Sequence, residues 1–374
     1  YPKTKAPSKM ESTKLPSAPV QEIFAALQEQ EHEQVMFVQD KALGLKGIIA
    51  IHNTTLGPAM GGLRMWNYAS EAEALTDVLR LSRGMTLKNA LAGINIGGGK
   101  AVIMGDARVQ KSEALLRRMG KFVHNLGGKY YTAEDVGMSE QDMMYIRSET
   151  PYVTGLPREM GGSGDPSPVT AYGVYVGMKA AWKYRTGTDS LEGVRVMVQG
   201  VGSVGSHLVD YLAQENASIF MYDVYEASLK EVAGRTGATV VDADEVYSLP
   251  VDIYAPCALG ATLNPDTIPS LTCSVIAGAA NNQLLDEERD GQALKDRDIL
   301  YAPDFMVNCG GIINVSLELG TYSREMAMKM TERVYQTTLE ICTLAKDENI
   351  TTHAAAWRAA NNRIQQIGRN RLFL

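Results

Sequence analysis

Three residues carry the first hint of chemistry: Lys100, Lys88 and Asp135. The segment Ala92–Met104, AGINIGGGKAVIM, holds one charged residue, Lys100, in an otherwise apolar, glycine-rich run. An unpartnered ammonium in such surroundings is expensive, and its pKa falls instead. GGGKA is not a phosphate loop, because that pattern has glycine where Ile94 stands and Ser or Thr where Ala101 stands. The plain alternative is a surface lysine at a turn. Lys88, in RGMTLKNALAG, lies near the end of the preceding helical pattern, and a helix–turn–strand return brings it close to Lys100. Two neighbouring ammonium groups depress each other's pKa, so one can act as a base while the other stays charged to hold an anion. Asp135, in YYTAEDVGM, sits just past a strand pattern where an active-site carboxylate would serve. Its alternative role is an N-cap for the helix over Met138–Arg147.

A second motif lies further along, in VRVMVQGVGSVGSHLVDYLAQENASIFMYD. Gly200, Gly202 and Gly205 fit G-x-G-x-x-G, with Ser203 and Val204 between the last two glycines. The motif follows an apolar strand and opens a helix, and the acid Asp223 closes the next strand about 20 residues on, which is the context a dinucleotide fingerprint requires. The glycines permit a tight turn and close approach of a pyrophosphate to the helix N-terminus. Asp223 would bond the ribose hydroxyls and repel a 2′-phosphate, while Val224 and Tyr225 offer no arginine to hold one. NAD is therefore expected over NADP.

The elements that must position these residues alternate. A helix over about Gln21–Gln30 precedes the strand-like runs EQVMFVQD and LKGIIAIHN. Between Ser70 and Leu91, the residues Leu75, Val78, Leu79, Ser82, Met85 and Thr86 recur at helical spacing. The glycine run breaks that helix and KAVIMG resumes as a strand. A helix around Ser112–Leu126, the strand GKYYTAED and a helix over Ser139–Arg147 follow. TGLPREMGGSGDPSPVT has the Gly/Pro density of an interdomain crossing. Beyond it, regular β-α-β alternation indicates a parallel, doubly wound sheet, and after Asn314 the chain reads as mostly helical. The fold class expected is α/β: two domains around a cleft, an N-terminal α/β substrate domain over 20–155 and a Rossmann-type NAD-binding domain over 156–344. Helices over 345–374 are expected to pack back on the first.

Composition bounds the rest. A chain of 374 residues exceeds one ordinary core, and 45% hydrophobic with 21% charged residues reads as globular. The net charge of -7 argues against nonspecific nucleic-acid binding. No apolar run reaches the roughly 18 residues of a membrane helix. The lysine-, proline- and serine-rich tail, residues 1–19, is expected to be disordered, with neither a secretory nor a transit signal, and Met10 is a candidate natural start. Cys257, Cys273, Cys309 and Cys342 are dispersed, with no metal spacing, as in a reduced cytoplasmic protein.

Several blocks are longer and more specific. LGPAMGGLRMW, RGMTLKNALAGINIGGGKAVI, YYTAEDVG, GDPSPVTAYGVY, VDIYAPCALGA, VIAGAANNQL and VNCGGIINV resemble successive segments of the amino acid dehydrogenases of glutamate, leucine, valine and phenylalanine. The resemblance runs from about Glu33 to beyond Arg324, with the leucine enzymes closest. It implies that Lys88 binds the substrate carboxylate, that Lys100 is the general base acting on water, and that Asp135 shuttles protons to and from the amine. Gly61 and Gly62 would line the amino end through backbone carbonyls. Thr170, Ala258 and Asn281 are expected on the cofactor side and Asn282 on the substrate side, with the reverse order of the two asparagines open. Glutamate enzymes carry lysine where Met60 stands; with Ala133, Ile312 and Val315 this implies an apolar side-chain pocket that rejects glutamate. Two departures stand out: the triple glycine before Lys100 is more typical of the phenylalanine and tryptophan enzymes, and Asp165 replaces the asparagine usual before PSPVT. The resemblance also implies a homo-oligomer that uses a small-molecule substrate. An aromatic amino acid dehydrogenase and a noncatalytic NAD-binding regulator are the rival readings.

Overall fold

The computed structural model describes residues 23–371. The tail 1–19 and the start of the helix expected from Gln21 lie outside the described residues. Helix α1 (Ile23–Glu29) leads into a five-stranded sheet of β1 (Gln34–Asp40), β2 (Leu45–Asn53), β3 (Ala59–Trp66), β4 (Gly97–Met104) and β5 (Tyr130–Glu134), in the order β1-β2-β4-β3-β5. The first three in that order pair antiparallel, whereas β3 runs parallel to both β4 and β5. Both faces of this sheet are covered. Ile48, Ala50 and Val102 pack under α2 (Glu71–Leu91), and their alternating neighbours Ile49, Ile51 and Ile103 pack with α3 (Glu113–His124) and α4 (Glu140–Arg147). Each isoleucine so buried contributes about 1.5–3 kcal/mol relative to exposure.

The glycine run is itself strand, not the turn before one, and Lys100 sits in mid-strand opposite Ala50. The reason is steric. A Cβ on Gly98 would lie 2.2 Å from the Thr86 amide nitrogen, and one on Gly99 would lie 2.8 Å from the Tyr130 ring. The missing side chains let α2 and β5 close onto β4, which brings Lys88 and Asp135 toward Lys100. Two histidines hold α2 from behind. His52 donates through Nε2 to the Gln30 carbonyl, so its Nδ1 accepts from the Thr86 hydroxyl at 2.8 Å, and His32 Nε2 lies 2.8 Å from the Ser82 hydroxyl. Burial lowers both imidazoles to about 4, so they are neutral props.

The second half comprises α5 (Ser167–Thr186), β6 (Arg195–Gln199), α6 (Ser203–Gln214), β7 (Ser218–Tyr222), α7 (Glu226–Thr236), β8 (Thr239–Val240), β9 (Ile253–Pro256), β10 (Val275–Ile276), α8 (Glu287–Asp296) and β11 (Leu300–Tyr301). Its strands are parallel, in the order β11-β10-β9-β6-β7-β8. The helices α9 (Asp304–Val307), α10 (Gly310–Ser316), α11 (Arg324–Thr331), α12 (Arg333–Asp347) and α13 (Thr352–Arg371) complete it. The last of these packs against α2 in the first half. Its Arg363 donates to the Ile94 carbonyl and Asn95 side chain, and Arg83 stacks 4.3 Å above the Trp357 ring. The chain crosses between halves over residues 151–166, where the Glu318 carboxylate accepts the amides of Gly155 and Ser163.

Candidate active site

A cleft of about 1200 Å³ separates the halves. From the first half it is lined by Gly61, Gly62, Arg64, Lys88, Lys100, Ala133 and Asp135, and from the second by Asp165, Ser203, Asn281, Asn282, Ile312 and Val315. Three neighbouring strands supply its charged floor: β3 carries Arg64, β4 carries Lys100, and Asp135 follows β5 directly. Lys100, 5% exposed, places Nζ 3.0 Å from Asp135 Oδ2, which ends the surface-lysine alternative. Ser139, not Asp135, caps α4, in a reciprocal capping box with Asp142. Gly62 makes the approach possible, since a Cβ there would stand 2.7 Å from the Asp135 Cβ.

Arg64 was not expected in the site. Its Nε donates to Asp135 Oδ2 at 2.9 Å, and its NH1 reaches Asp77 Oδ2 at 2.9 Å, where the Tyr68 hydroxyl also donates. Burial pushes the Asp135 carboxyl up, but Lys100 and Arg64 overcome this and hold it down at about 2. Burial likewise lowers Lys100, against the pull of Asp135, and the Arg64 guanidinium lowers it further. The expected mutual repulsion of the two lysines is therefore a minor influence on Lys100; burial dominates, with Asp135 opposing it and Arg64 adding to it.

Lys88 lies in the last turn of α2 and keeps part of its surface on the cleft. Burial lowers its pKa most strongly. The Cys309 thiol beside it is pushed up to about 12 by burial and so stays neutral, leaving Asp304, from the other half, and then Asp135 as the carboxylates that favour the ammonium, while burial also raises the Asp304 carboxyl. Asp304 was missed in the sequence because its partner is remote along the chain.

Ala133, Ile312 and Val315 are apolar cleft walls, each no more than 9% exposed. Met60 is fully buried in the apolar cluster that includes Ile312 and Val315. The Gly61 carbonyl already accepts the buried Tyr130 hydroxyl at 2.6 Å, so it is only partly free for a ligand. Asp165 accepts the Ser167 amide through Oδ1, forming a turn at the start of α5. Asn281 Oδ1 accepts from Asn308, while Asn282 adopts a left-handed φ of 53°. Thr170 is not on the cleft wall; its hydroxyl donates to Pro166 and lies against Gly311.

The glycine fingerprint lies outside the cleft proper, except for Ser203. Gly200 has φ 97° and a Cβ there would strike Ala258; a Cβ on Gly205 would strike the Gly200 carbonyl, whereas Gly202 faces open space. Val204 packs into the core beneath. Asp223, just past β7, receives the Val201 and Tyr225 amides. A tight turn, one open glycine and a carboxylate at the next strand end suit a dinucleotide.

A parallel nucleotide-type half facing a lysine–carboxylate cleft defines a two-domain α/β oxidoreductase. The chain belongs to the family of amino acid dehydrogenases: the Glu/Leu/Phe/Val dehydrogenase dimerisation-domain model matches residues 32–152, and the glutamate/leucine/phenylalanine/valine dehydrogenase model matches 161–225 and 220–371. It is 51% identical to a leucine dehydrogenase of Bacillus cereus over 94% of this chain and 95% of that one. Against the leucine dehydrogenase of Geobacillus stearothermophilus the identity is 52%, with the same coverage. The crystal structure of L-tryptophan dehydrogenase from Nostoc punctiforme superimposes with a TM-score of 0.84 at 46% identity, covering 92% of this chain and 99% of that one.

Proposed function

We propose that the protein catalyses the NAD-dependent, reversible oxidative deamination of an apolar L-amino acid, leucine and its branched-chain relatives first, to the 2-oxo acid and ammonia. The observation that carries the chemistry is the Lys100–Asp135 pair, set in one apolar-walled cleft with Lys88. NAD would lie along the Gly200–Gly205 turn with Asp223 at its ribose, and when bound it supplies the acceptor for the Cα hydride. Lys88 pairs with the substrate carboxylate, whose charge favours the ammonium that burial alone disfavours. Asp135, ionised in this cleft, accepts hydrogen bonds from the substrate amino group and relays its proton. Lys100, its pKa lowered, removes a proton from the water that attacks the substrate imine, and the resulting carbinolamine collapses to ammonia and oxo acid. Working as a homo-oligomer in the cytoplasm is part of this reading, supported by the dimerisation-domain match and by four free cysteines among the described residues.

Ala133, Ile312 and Val315 offer no cation to a γ-carboxylate, whose desolvation would cost several kcal/mol. A panel of kcat/KM values decides the substrate: leucine, isoleucine and valine are expected to lead, with glutamate negligible. Strong glutamate turnover would contradict the apolar pocket. Similarity to the tryptophan enzyme favours one second reading, an aromatic substrate, since one methylene in such a pocket separates substrates by only about 1–3 kcal/mol. Phenylalanine or tryptophan leading the panel would establish it.

The cofactor choice is tested separately. NAD should exceed NADP by about tenfold or more in kcat/KM, equivalent to about 1.4 kcal/mol, and Asp223→Ser should narrow the ratio. Equal use of both by the unmodified protein would overturn the role given to Asp223.

A further inference from the structure

The geometry points to Arg64 as the positioning residue that makes Asp135 and Lys100 a working pair: it locks one oxygen of Asp135 and leaves the other for the substrate amine. This deepens the proposed deamination and rests on it. Both cations bind the same oxygen, with Lys100 Nζ and Arg64 Nε at 3.0 and 2.9 Å from Asp135 Oδ2. Among the described residues the bonds to this carboxylate fall on Oδ2, which leaves Oδ1 for an amino group entering the cleft. Arg64 is itself fixed from behind by the buried Asp77, which Tyr68 holds at 2.7 Å. The guanidinium fork suits this task, since a lysine at the same position could not span two carboxylates with defined angles.

Arg64 also acts through its charge. It shares Asp135 Oδ2 with Lys100, whereas Lys88 is not among the leading influences on Lys100. The charged and titratable groups around the pair are Arg64 from β3, Tyr68 beyond it, Asp77, Arg80 and Lys88 from α2, Tyr130 and Glu134 from β5, and Asp304 with Cys309 from the far half. Of these, Arg64 is the cation with the strongest direct influence on Lys100. It adds to burial, the largest influence lowering Lys100, and opposes the attraction of Asp135.

The test compares Arg64→Gln with Arg64→Lys by the pH profile of kcat/KM for leucine oxidation, by kcat and KM separately, and by NADH affinity from fluorescence. In Arg64→Gln the limb that rises as Lys100 loses its proton should move upward by roughly one pH unit. Its kcat should fall about 10–100-fold, with KM changing less and NADH affinity retained. Arg64→Lys keeps the charge, so its limb should stay in place while kcat still falls. Added ethylguanidinium should restore part of the Arg64→Gln rate. Should Arg64→Gln fail to fold because Asp77 is left unpaired, Arg64→Gln with Asp77→Asn removes the orphaned charge and is read in the same way. A folded, NADH-binding Gln variant with an unmoved limb overturns the inference, as does a Lys variant whose limb moves a full unit. A wild-type protein with no such limb would instead refute Lys100 as the base, a distinguishable failure.

Discussion

Lys100→Ala is expected to lose about 10²–10⁴-fold in kcat, the range a positioned general base supplies, while binding NADH normally. The variant should fold, because Asp135 keeps its bond to Arg64 when the ammonium is gone. Removing one partner of a buried pair otherwise costs about 3–5 kcal/mol, and Arg64 limits that loss. Lys100→Met, which preserves more volume, should show the same kinetic defect with a smaller fall in melting temperature. Stopped-flow absorbance at 340 nm with an NADH fluorescence titration on the same sample separates chemistry from binding. Near-normal turnover in the folded variant would exclude Lys100 as the base.

Lys88→Ala should act differently. A charged group that loses its buried partner forfeits about 2–5 kcal/mol, so kcat/KM for the amino acid should fall by about 100-fold or more, carried mainly by KM. The rising limb of the pH profile should scarcely move, since Asp135 and Arg64, not Lys88, are the leading charges acting on Lys100. Stability should move the other way. Lys88 has a folded-state pKa below its unfolded value, so the unfolded chain holds a proton more readily below the ordinary lysine pKa, and burial there costs stability that is relieved as pH rises. Lys88→Met removes that cost, and the Asp304 carboxyl, raised by burial, takes a proton once its cation is gone, so the variant should melt no lower than the parent at pH 7. A variant with unchanged KM would remove Lys88 from the substrate site.

The sequence was most informative where chemistry and chain locality coincide. Gly200, Gly202, Gly205 and Asp223 are legible because a strand, turn, helix and second strand follow one another directly, so their spacing encodes the geometry. Lys100 and Lys88 are legible because a charge in an apolar run is anomalous in itself. The position of Lys100 was harder: three glycines read as a turn, and only the close approach of Thr86 and Tyr130 shows why glycine is needed inside a strand. Arg64 could have been found, since Met60, Gly62 and Arg64 alternate onto one face of β3, but an arginine before Met65-Trp66 also reads as a solvated strand end. Asp304 and Glu318 carried no local signal. Their partners, Lys88 and the Gly155–Ser163 crossing, are distant in sequence and meet only when the two halves assemble.

The central claim, that burial and Arg64 turn Lys100 into a base for amino acid deamination, is tested most directly by the pH profile of kcat/KM for NAD-dependent leucine oxidation in the unmodified protein. The predicted profile rises through an apparent pKa clearly below the 10.4 of a free lysine, and that limb disappears from the residual activity of Lys100→Ala. A profile with no ionisation below the ordinary lysine range, or the same limb persisting in Lys100→Ala, would contradict it.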